Sequence, residues 1–149
     1  MNYSRSYDLK VDMLGVELLE TLIRFKEFDI NTSIINFELV ANNRPITLEE
    51  WDKVLVSFKK ENTITTQQLK IARYKSIENF INNDYQEVEL KRKARTNIFT
   101  LALNNEIVNN FGSFVGEVII ANEEEESRLT SQPFTFYIEP SITPNNERG

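Results

Sequence analysis

The alternation of apolar and polar residues is the strongest pattern in this chain, and its clearest example lies near the C-terminus. Residues 133–139 read PFTFYIE, so Phe134, Phe136 and Ile138 fall on one face, and Thr, Tyr and Glu fall on the other. A period of two residues is typical of a strand that is buried on one side. We predict that this stretch is the last strand of the fold and that its inner face is aromatic.

Other stretches repeat this alternation along the chain. They lie at residues 7–13, 23–26, 34–40, 54–59, 88–91, 98–103 and 114–121. Turn chemistry separates two of them at 41–45 (ANNRP), because Asn tolerates a left-handed backbone and Pro fixes φ. We therefore predict seven to nine short strands. Five phenylalanines at inward positions are expected to form the core: Phe25, Phe37, Phe58, Phe99 and Phe134.

The order of these elements predicts the fold class. The sequence contains no regular alternation of strands with helices, no long internal repeat and no glycine-rich phosphate loop. This favours a mainly β fold, an antiparallel β-sandwich with two Ig-like sheets and one or two short helices in the connections. One helical turn is predicted around Ile107, Val108 and Phe111, with the pair Asn104-Asn105 as its cap and Gly112 at its end.

The length favours one domain. A chain of 149 residues can bury roughly two-thirds of the surface that it exposes when unfolded. We expect a single sandwich domain at 1–141, with an insertion at about 62–93, and a polar tail or linker at 142–149. Within the insertion the periods are mixed, and a short helix at 76–80 and a ragged strand at 69–71 fit equally well.

The amino-acid composition excludes several kinds of catalytic and metal-binding sites. The sequence has no cysteine and no histidine, which excludes disulfides, thiolate catalysis, Ser-His-Asp triads and most zinc or iron sites. A net charge of −6 argues against general nucleic-acid binding, which requires a concentrated basic surface. Neither a signal peptide nor an apolar run of membrane-spanning length is present, so we expect synthesis in a cytoplasm, with no membrane partner and no cofactor.

Two acidic groups are candidates for chemistry. Glu49, Glu50 and Asp52 surround Trp51, but a glycosidase needs two carboxylates that face each other across a cleft. A solvated helical turn capped by Thr47 is the simpler interpretation. The run Glu123–Glu126 lacks the spacing and the glycine of a calcium loop, and we interpret it as an exposed hairpin tip. No catalytic or metal-binding residue is therefore predicted.

One basic cluster is a candidate partner interface. Lys91, Arg92, Lys93 and Arg95 form the only concentration of positive charge in the chain. In an acidic protein such a cluster fits a protein partner better than a nucleic acid, although a solvated loop is simpler than either. An outward tyrosine can mark an interface, so Tyr85 is added to this candidate surface.

Three segments carry a resemblance to a known family. The first is FDINTSIINFEL at 28–39 with the turn NNRPI at 42–46. The second is 104–120, where a turn ending in Phe-Gly leads into a strand. The third is SRLTSQPFTFYI at 127–138, followed by Ser141. The chain resembles the N-terminal domain of baseplate upper proteins from siphophages of Gram-positive bacteria, from about residue 7 to residue 141. The predicted insertion is longer than the hairpin expected there.

The resemblance implies a non-enzymatic virion structural protein of the phage tail tip. Such a domain would be an adaptor for host attachment that docks on the baseplate core and holds side fibres or receptor-binding proteins. It also implies a homo-oligomer, a trimer in the virion. The receptor-binding protein would be bound through sequence beyond this chain, and synthesis would take place in the host bacterial cytoplasm.

Two rival functions remain at the level of sequence. A carbohydrate-binding or receptor-binding β-sandwich module would require exposed aromatic side chains, and Trp51, Tyr74 and Tyr85 are the candidates. A carboxylate-driven hydrolase would require two facing carboxylates in a cleft.

Overall fold

The computed structural model describes residues 3–15, 22–48, 52–60, 86–92 and 97–143, and these residues form two packed β-sheets. The elements are β1 (Arg5–Asp12), β2 (Arg24–Lys26), β3 (Ser33–Ala41), β4 (Arg44–Pro45), β5 (Asp52–Lys60), β6 (Gln86–Glu89), β7 (Lys91–Arg92), β8 (Ile98–Ala102), α1 (Asn105–Val108), β9 (Gly112–Asn122), β10 (Ser127–Thr130) and β11 (Phe134–Glu139). The predicted mainly β sandwich with a short connecting helix is confirmed.

The two sheets differ in size, and the chain passes from one to the other several times. Sheet A has the order β1-β3-β8-β7, with β4 also paired to β3. Sheet B has the order β2-β11-β9-β5-β6, with β10 also paired to β9. Most neighbours are antiparallel, as predicted, but β1 is parallel to β3 and β2 is parallel to β11. The sheets are therefore mixed, because the chain crosses to sheet B to form β2 before it returns to form β3.

The core lies between the sheets and is built from the alternating positions. All five phenylalanines that were predicted to point inward are buried. Phe136 is the centre of an aromatic cluster, stacked on Phe114 with ring centroids 4.9 Å apart and an interplanar angle of 2°. It also meets Phe25 and Phe58 edge to face. Such ring pairs stabilise a core by about 0.5–1.5 kcal/mol each beyond the area that they bury.

The predicted helical turn is present but is shorter than expected. The Asn104 side chain accepts a hydrogen bond from the backbone N–H of Ile107 at 3.2 Å, which caps the first turn. Ile107 and Val108 are buried against the core. The helix ends at Val108, and Phe111 lies beyond it with half of its surface exposed, so Phe111 was wrongly included in the turn.

The acidic run Glu123–Glu126 forms the turn between β9 and β10, as a hairpin tip. The strand that follows it, β10, was not predicted. Both β10 and β11 pair with β9, but between the pairs Thr130–Ile119 and Phe134–Gly116 three residues lie opposite two. This one-residue excess is a β-bulge at 131–133, which bends the strand between its two halves.

Some expectations fall on residues that the structure does not describe. These are the cap and turn at 49–51, the alternative elements at 69–71 and 76–80, and the tail beyond 143. Residues 86–92, within the predicted insertion, form β6 in sheet B and β7 in sheet A. Leu90 joins the two strands, is buried in the core, and donates its N–H to the Val54 carbonyl at 2.8 Å. The proposed domain boundaries stay a prediction.

Candidate interaction surfaces

One end of the sandwich brings several segments together. We call it the α1 end, because α1, the 27–32 loop, the starts of β1 and β3 and the end of β11 lie there. The loop is held to its surroundings by backbone hydrogen bonds. Phe28 donates to the Val108 carbonyl at 2.9 Å, Asn31 donates to Leu103 at 3.1 Å, and Glu27 donates to Glu139 at 2.9 Å. These contacts hold the loop on a framework formed by both sheets.

An open concavity of about 670 Å³ lies at the α1 end. It is lined by Tyr3, Ser4, Arg5, Phe28, Asp29, Ile30 and Thr32. Two of its apolar side chains face solvent, since Tyr3 is 84% exposed and Ile30 is 39% exposed. The Arg5 guanidinium lies 3.9 Å from the Asp29 carboxylate, so a charged pair borders the apolar surface. Aromatic and apolar side chains beside charges are the usual composition of a protein contact surface.

The loop that forms this concavity is conformationally strained. Phe28 has φ of 72° and Asn31 has φ of 61°. Asn adopts this left-handed region readily, whereas for a bulky residue such as Phe it costs about 1–3 kcal/mol. Residues in such conformations persist only where the surrounding contacts impose them, and they are concentrated at functional sites. The strain therefore marks the 27–32 loop as part of a candidate site.

Beside the concavity, an ionic cluster joins β2 to β11. The Glu139 carboxylate lies 2.8 Å from the Lys26 ammonium and 3.2 Å from the Arg24 guanidinium. The hydrogen bond from Lys26, with a further one from Arg24, lowers the pKa of Glu139 below its ordinary value. The Arg24 guanidinium also lies over the Tyr137 ring, 5.8 Å from its centroid. These contacts connect the three residues of β2 to the rest of sheet B.

Only part of the predicted basic interface can be located. Lys91 and Arg92 form β7 at the edge of sheet A, where they pair with Thr100 and Phe99 of β8. The Arg92 side chain is exposed. The other three predicted residues, Lys93, Arg95 and Tyr85, lie outside the described residues. The interface therefore stays a prediction.

The acidic candidates do not assemble a reactive group within the described residues. Asp52 begins β5, and its carboxylate accepts a hydrogen bond from Asn122 at 2.8 Å. Across the described parts of the chain, no three His, Cys, Asp or Glu side chains are grouped so that they could hold a metal ion. Glu49, Glu50 and Trp51 are outside the described residues, as is Tyr74, so neither rival function gains an observation in its favour.

The sequence did not indicate the concavity. Tyr3, Arg5 and Ile30 belong to no periodic pattern with one another, and they meet only because β1 and β3 are parallel and begin at the same end. The unusual loop composition FDINT, with apolar residues beside Asp and Asn, was the one available signal. Within the described residues no helix is both long enough and apolar enough to cross a membrane.

The packed sheets and exposed contact surfaces define the class of the protein as a two-sheet β-sandwich domain. Its family follows from a family model that matches residues 5–147 and is described as the BppU N-terminal domain. The chain belongs to this family, the N-terminal domain of phage baseplate upper proteins, and the resemblance found in its sequence is confirmed. The protein is thus a structural domain of the phage baseplate.

A solved structure supports the fold. The chain is similar to the "N-terminal domain of phage TP901-1 ORF48", with a TM-score of 0.60 and 10% sequence identity. The similarity covers 90% of this chain and 98% of that chain. At this identity the similarity supports the fold alone. No curated protein sequence matches the chain significantly.

Proposed function

We propose that this chain is a non-enzymatic adaptor of the phage tail-tip baseplate. It docks on the baseplate core and holds side fibres or receptor-binding proteins outward. Membership of the baseplate upper protein family supports the location in the virion tail. The observation that carries the docking role is the concavity at the α1 end, where the exposed Tyr3, just before β1, lies beside the exposed Ile30 of the strained 27–32 loop.

The chemistry of the concavity suggests what it binds. Tyr3 and Ile30 offer an apolar contact, and the Arg5–Asp29 pair borders it with both signs of charge. Interfaces of this kind have an apolar centre and a polar rim, and most of the binding energy lies in a few central side chains. The fitting partner is therefore a protein surface that presents an apolar side chain surrounded by polar groups.

The basic cluster is proposed as a second contact. Lys91, Arg92, Lys93, Arg95 and Tyr85 would face an acidic patch on another baseplate or tail protein. The edge position of β7 supports this proposal, because an edge strand is open to approach from the side.

The assembly around the domain is also a proposal. We expect a homo-oligomer, a trimer in the virion, that binds the receptor-binding protein through sequence beyond this chain. We further expect synthesis in the host bacterial cytoplasm before incorporation at the tail tip.

A change at the centre of the concavity tests the docking role. In phage that carry Ile30→Asp, a buried carboxylate would oppose docking, and we expect the amount of this chain in purified particles to fall at least about tenfold. The amount is measured by quantitative mass spectrometry of the particles, and immunogold labelling reports the position of the wild-type chain.

The chain offers a matched control for this test. Leu129 on β10 is exposed to the same 39% as Ile30 but lies towards the opposite end of the sandwich, so Leu129→Asp should leave incorporation unchanged. Equal loss for both variants would argue against the concavity as the docking surface. Absence of the wild-type chain from purified particles would reject the adaptor function itself.

A further inference from the structure

The strand β1 presents an open backbone edge. It lies at the edge of sheet A and pairs only with β3 among the described strands. Arg5 donates its N–H to the carbonyl of Thr32, just before β3, and Met13, just after β1, donates its N–H to Val40 of β3, so the backbone groups of the odd-numbered residues of β1 point towards β3. The backbone groups of Ser6, Asp8 and Lys10 consequently point away from the sheet, and within the described residues nothing bonds to them.

The edge strands β1 and β2 differ in how far other residues cover them. The short β2 at the edge of sheet B is closed, because the Tyr7 hydroxyl donates to the Arg24 carbonyl at 2.9 Å and the Tyr7 ring packs on Phe25. The neighbouring β1 has eight residues, and no described residue pairs with its outer edge. A long unpaired edge is a template for another strand, which proteins usually cover or protect. Here it is neither covered by a described element nor shortened.

The side chains along this edge alternate in charge. Asp8 and Lys10 are exposed on the outer face of sheet A. Asp8 is held in place, because its Oδ1 accepts a hydrogen bond from Nδ2 of the Asn36 side chain at 3.1 Å, and Oδ1 of Asn36 accepts one from the Thr100 hydroxyl at 2.9 Å. Lys10 lies opposite Glu38 on β3 but forms no ion pair with any described residue.

This charge order fits a second copy of the same strand. In an antiparallel pair with a two-fold axis at Leu9, Asp8 of each copy lies opposite Lys10 of the other. Both residues present their backbone groups to the edge, so each such pair can exchange two N–H···O=C bonds. Opposite charges at directly facing positions stabilise a strand pair, whereas like charges destabilise it.

Other alignments are disfavoured by the same charges. Moving the two-fold axis from Leu9 to Asp8 places the two Asp8 residues opposite each other. Moving it to Lys10 places the two Lys10 residues opposite each other. Independently of charge, a parallel alignment of the same two edges would turn the core face of one copy towards solvent. The sequence of β1 therefore selects one register out of those that an open edge would otherwise permit.

We propose that β1 is a homotypic interface at which two copies of this chain join their A sheets, antiparallel, through Asp8 and Lys10. The resulting sheet is continuous across the two copies. The core-facing surfaces of the two A sheets lie on the same side of it. This two-fold contact is separate from the threefold association proposed above.

Charge reversal tests the proposal on the 149-residue chain. Sedimentation velocity over a concentration series at low ionic strength should show wild-type dimers. Asp8→Lys and Lys10→Asp each make both facing pairs repulsive, so each variant should dimerise at least about tenfold more weakly. Added salt should weaken the wild-type dimer, because the pairs are exposed.

Mixing the two variants gives a sharper test. One copy then carries two lysines and the other two aspartates, so an equimolar mixture should form heterodimers although neither variant dimerises alone. The double variant D8K/K10D should dimerise like the wild type. This recovery shows that loss in the single variants is not a failure to fold, and circular dichroism spectra of each variant check the fold directly.

Control variants separate local pairing from net charge. Glu124→Lys and Arg128→Asp change the net charge by the same amounts at exposed positions near the hairpin tip, and they should dimerise normally. A wild-type chain that stays monomeric up to about millimolar concentration, at which even weak pairs associate, would overturn the proposal. So would single variants that dimerise like the wild type, or a mixture that stays monomeric.

Discussion

Gly116 lies on β9 between Phe58 of β5 and Phe134 of β11, which pair with it on either side. A Cβ atom at this position would lie 2.8 Å from Cζ of Phe134 and 3.1 Å from Cβ of Phe58. Phe134 cannot move aside freely, because its ring packs against Phe37 at 5.1 Å and is buried. The absence of a side chain at 116 therefore provides the space in which Phe134 packs.

Gly116→Ala is expected to destabilise the fold. Replacing a strand glycine normally stabilises by about 0.4–1 kcal/mol, but overpacking a core costs about 1–3 kcal/mol, so the net loss should be about 1–2 kcal/mol. The measurement is the free energy of unfolding in urea. Phe134→Leu should relieve the clash, so the loss in the double variant should be smaller than the sum of the two single losses. Strictly additive losses would contradict this account.

The Ser131 side chain satisfies the hydrogen-bonding groups of the backbone at the β-bulge. Its hydroxyl accepts the Val118 N–H at 2.9 Å and donates to the Gln132 carbonyl at 2.8 Å, while its own N–H donates to the Val118 carbonyl at 2.8 Å. Both Ser131 and Val118 are buried. The side chain thus replaces the strand hydrogen bond that the extra residue would otherwise remove.

Ser131→Ala should therefore leave the buried Val118 N–H without its hydrogen bond. An unsatisfied buried donor costs about 1–3 kcal/mol, and the free energy of unfolding should fall by that amount. Hydrogen exchange at the Val118 amide, followed by NMR, should become faster. Ser127→Ala on the exposed part of β10 is the control and should change stability by less than about 0.5 kcal/mol. Equal effects of the two substitutions would refute the role of the hydroxyl.

At the scale of elements, the position of β2 depends on side-chain contacts in addition to its few backbone pairs with β11. It has three residues, and the ion pairs of Glu139 with Lys26 and Arg24 connect it to β11. The pKa of Glu139 is lowered in the folded protein. The charged carboxylate therefore contributes to stability at a pH above its ordinary pKa of about 4.5, and this contribution is lost as the pH falls through the pKa of the folded state. The cationic partners are about half exposed, so salt screens the effect.

The pH dependence of stability can be measured against Glu139→Gln. As the pH falls below about 4.5, the unfolding free energy of the wild type should decrease more steeply than that of the variant. The difference between them should shrink in high salt. Parallel curves for the two proteins at low salt would exclude a stabilising role for the charged form of Glu139.

The strands differed in how well their sequence predicted them. Phe134–Glu139 was predicted in full, because alternation reports which side chains are buried. The direction of β1 and β2 could not be predicted, since alternation carries no information about the neighbouring strand. β10 was missed because three of its four residues are exposed and it owes its place to pairing with β9.

At the scale of the whole molecule, the sandwich followed from local patterns but the candidate sites did not. The fold class needs only the number and spacing of amphipathic strands. The concavity needs the start of β1 and the 27–32 loop to meet, which is a result of topology. Among the described strands, the edge of β1 likewise lacks a partner only because β1 is the outer neighbour of β3, although its alternating charges were visible in the sequence.

The pairing of β2 with β11 also governs when the protein can fold. Arg24 pairs with Tyr137, more than 100 residues later, so the contact cannot form on a ribosome until almost the entire domain has been synthesised. Contacts between residues so distant in sequence slow folding, because a long loop must close first. A nascent chain that stops before Phe136 lacks the ring on which Phe25, Phe58 and Phe114 pack. Its phenylalanines and the edge of β9 would stay exposed, and exposed apolar side chains and strand edges promote aggregation.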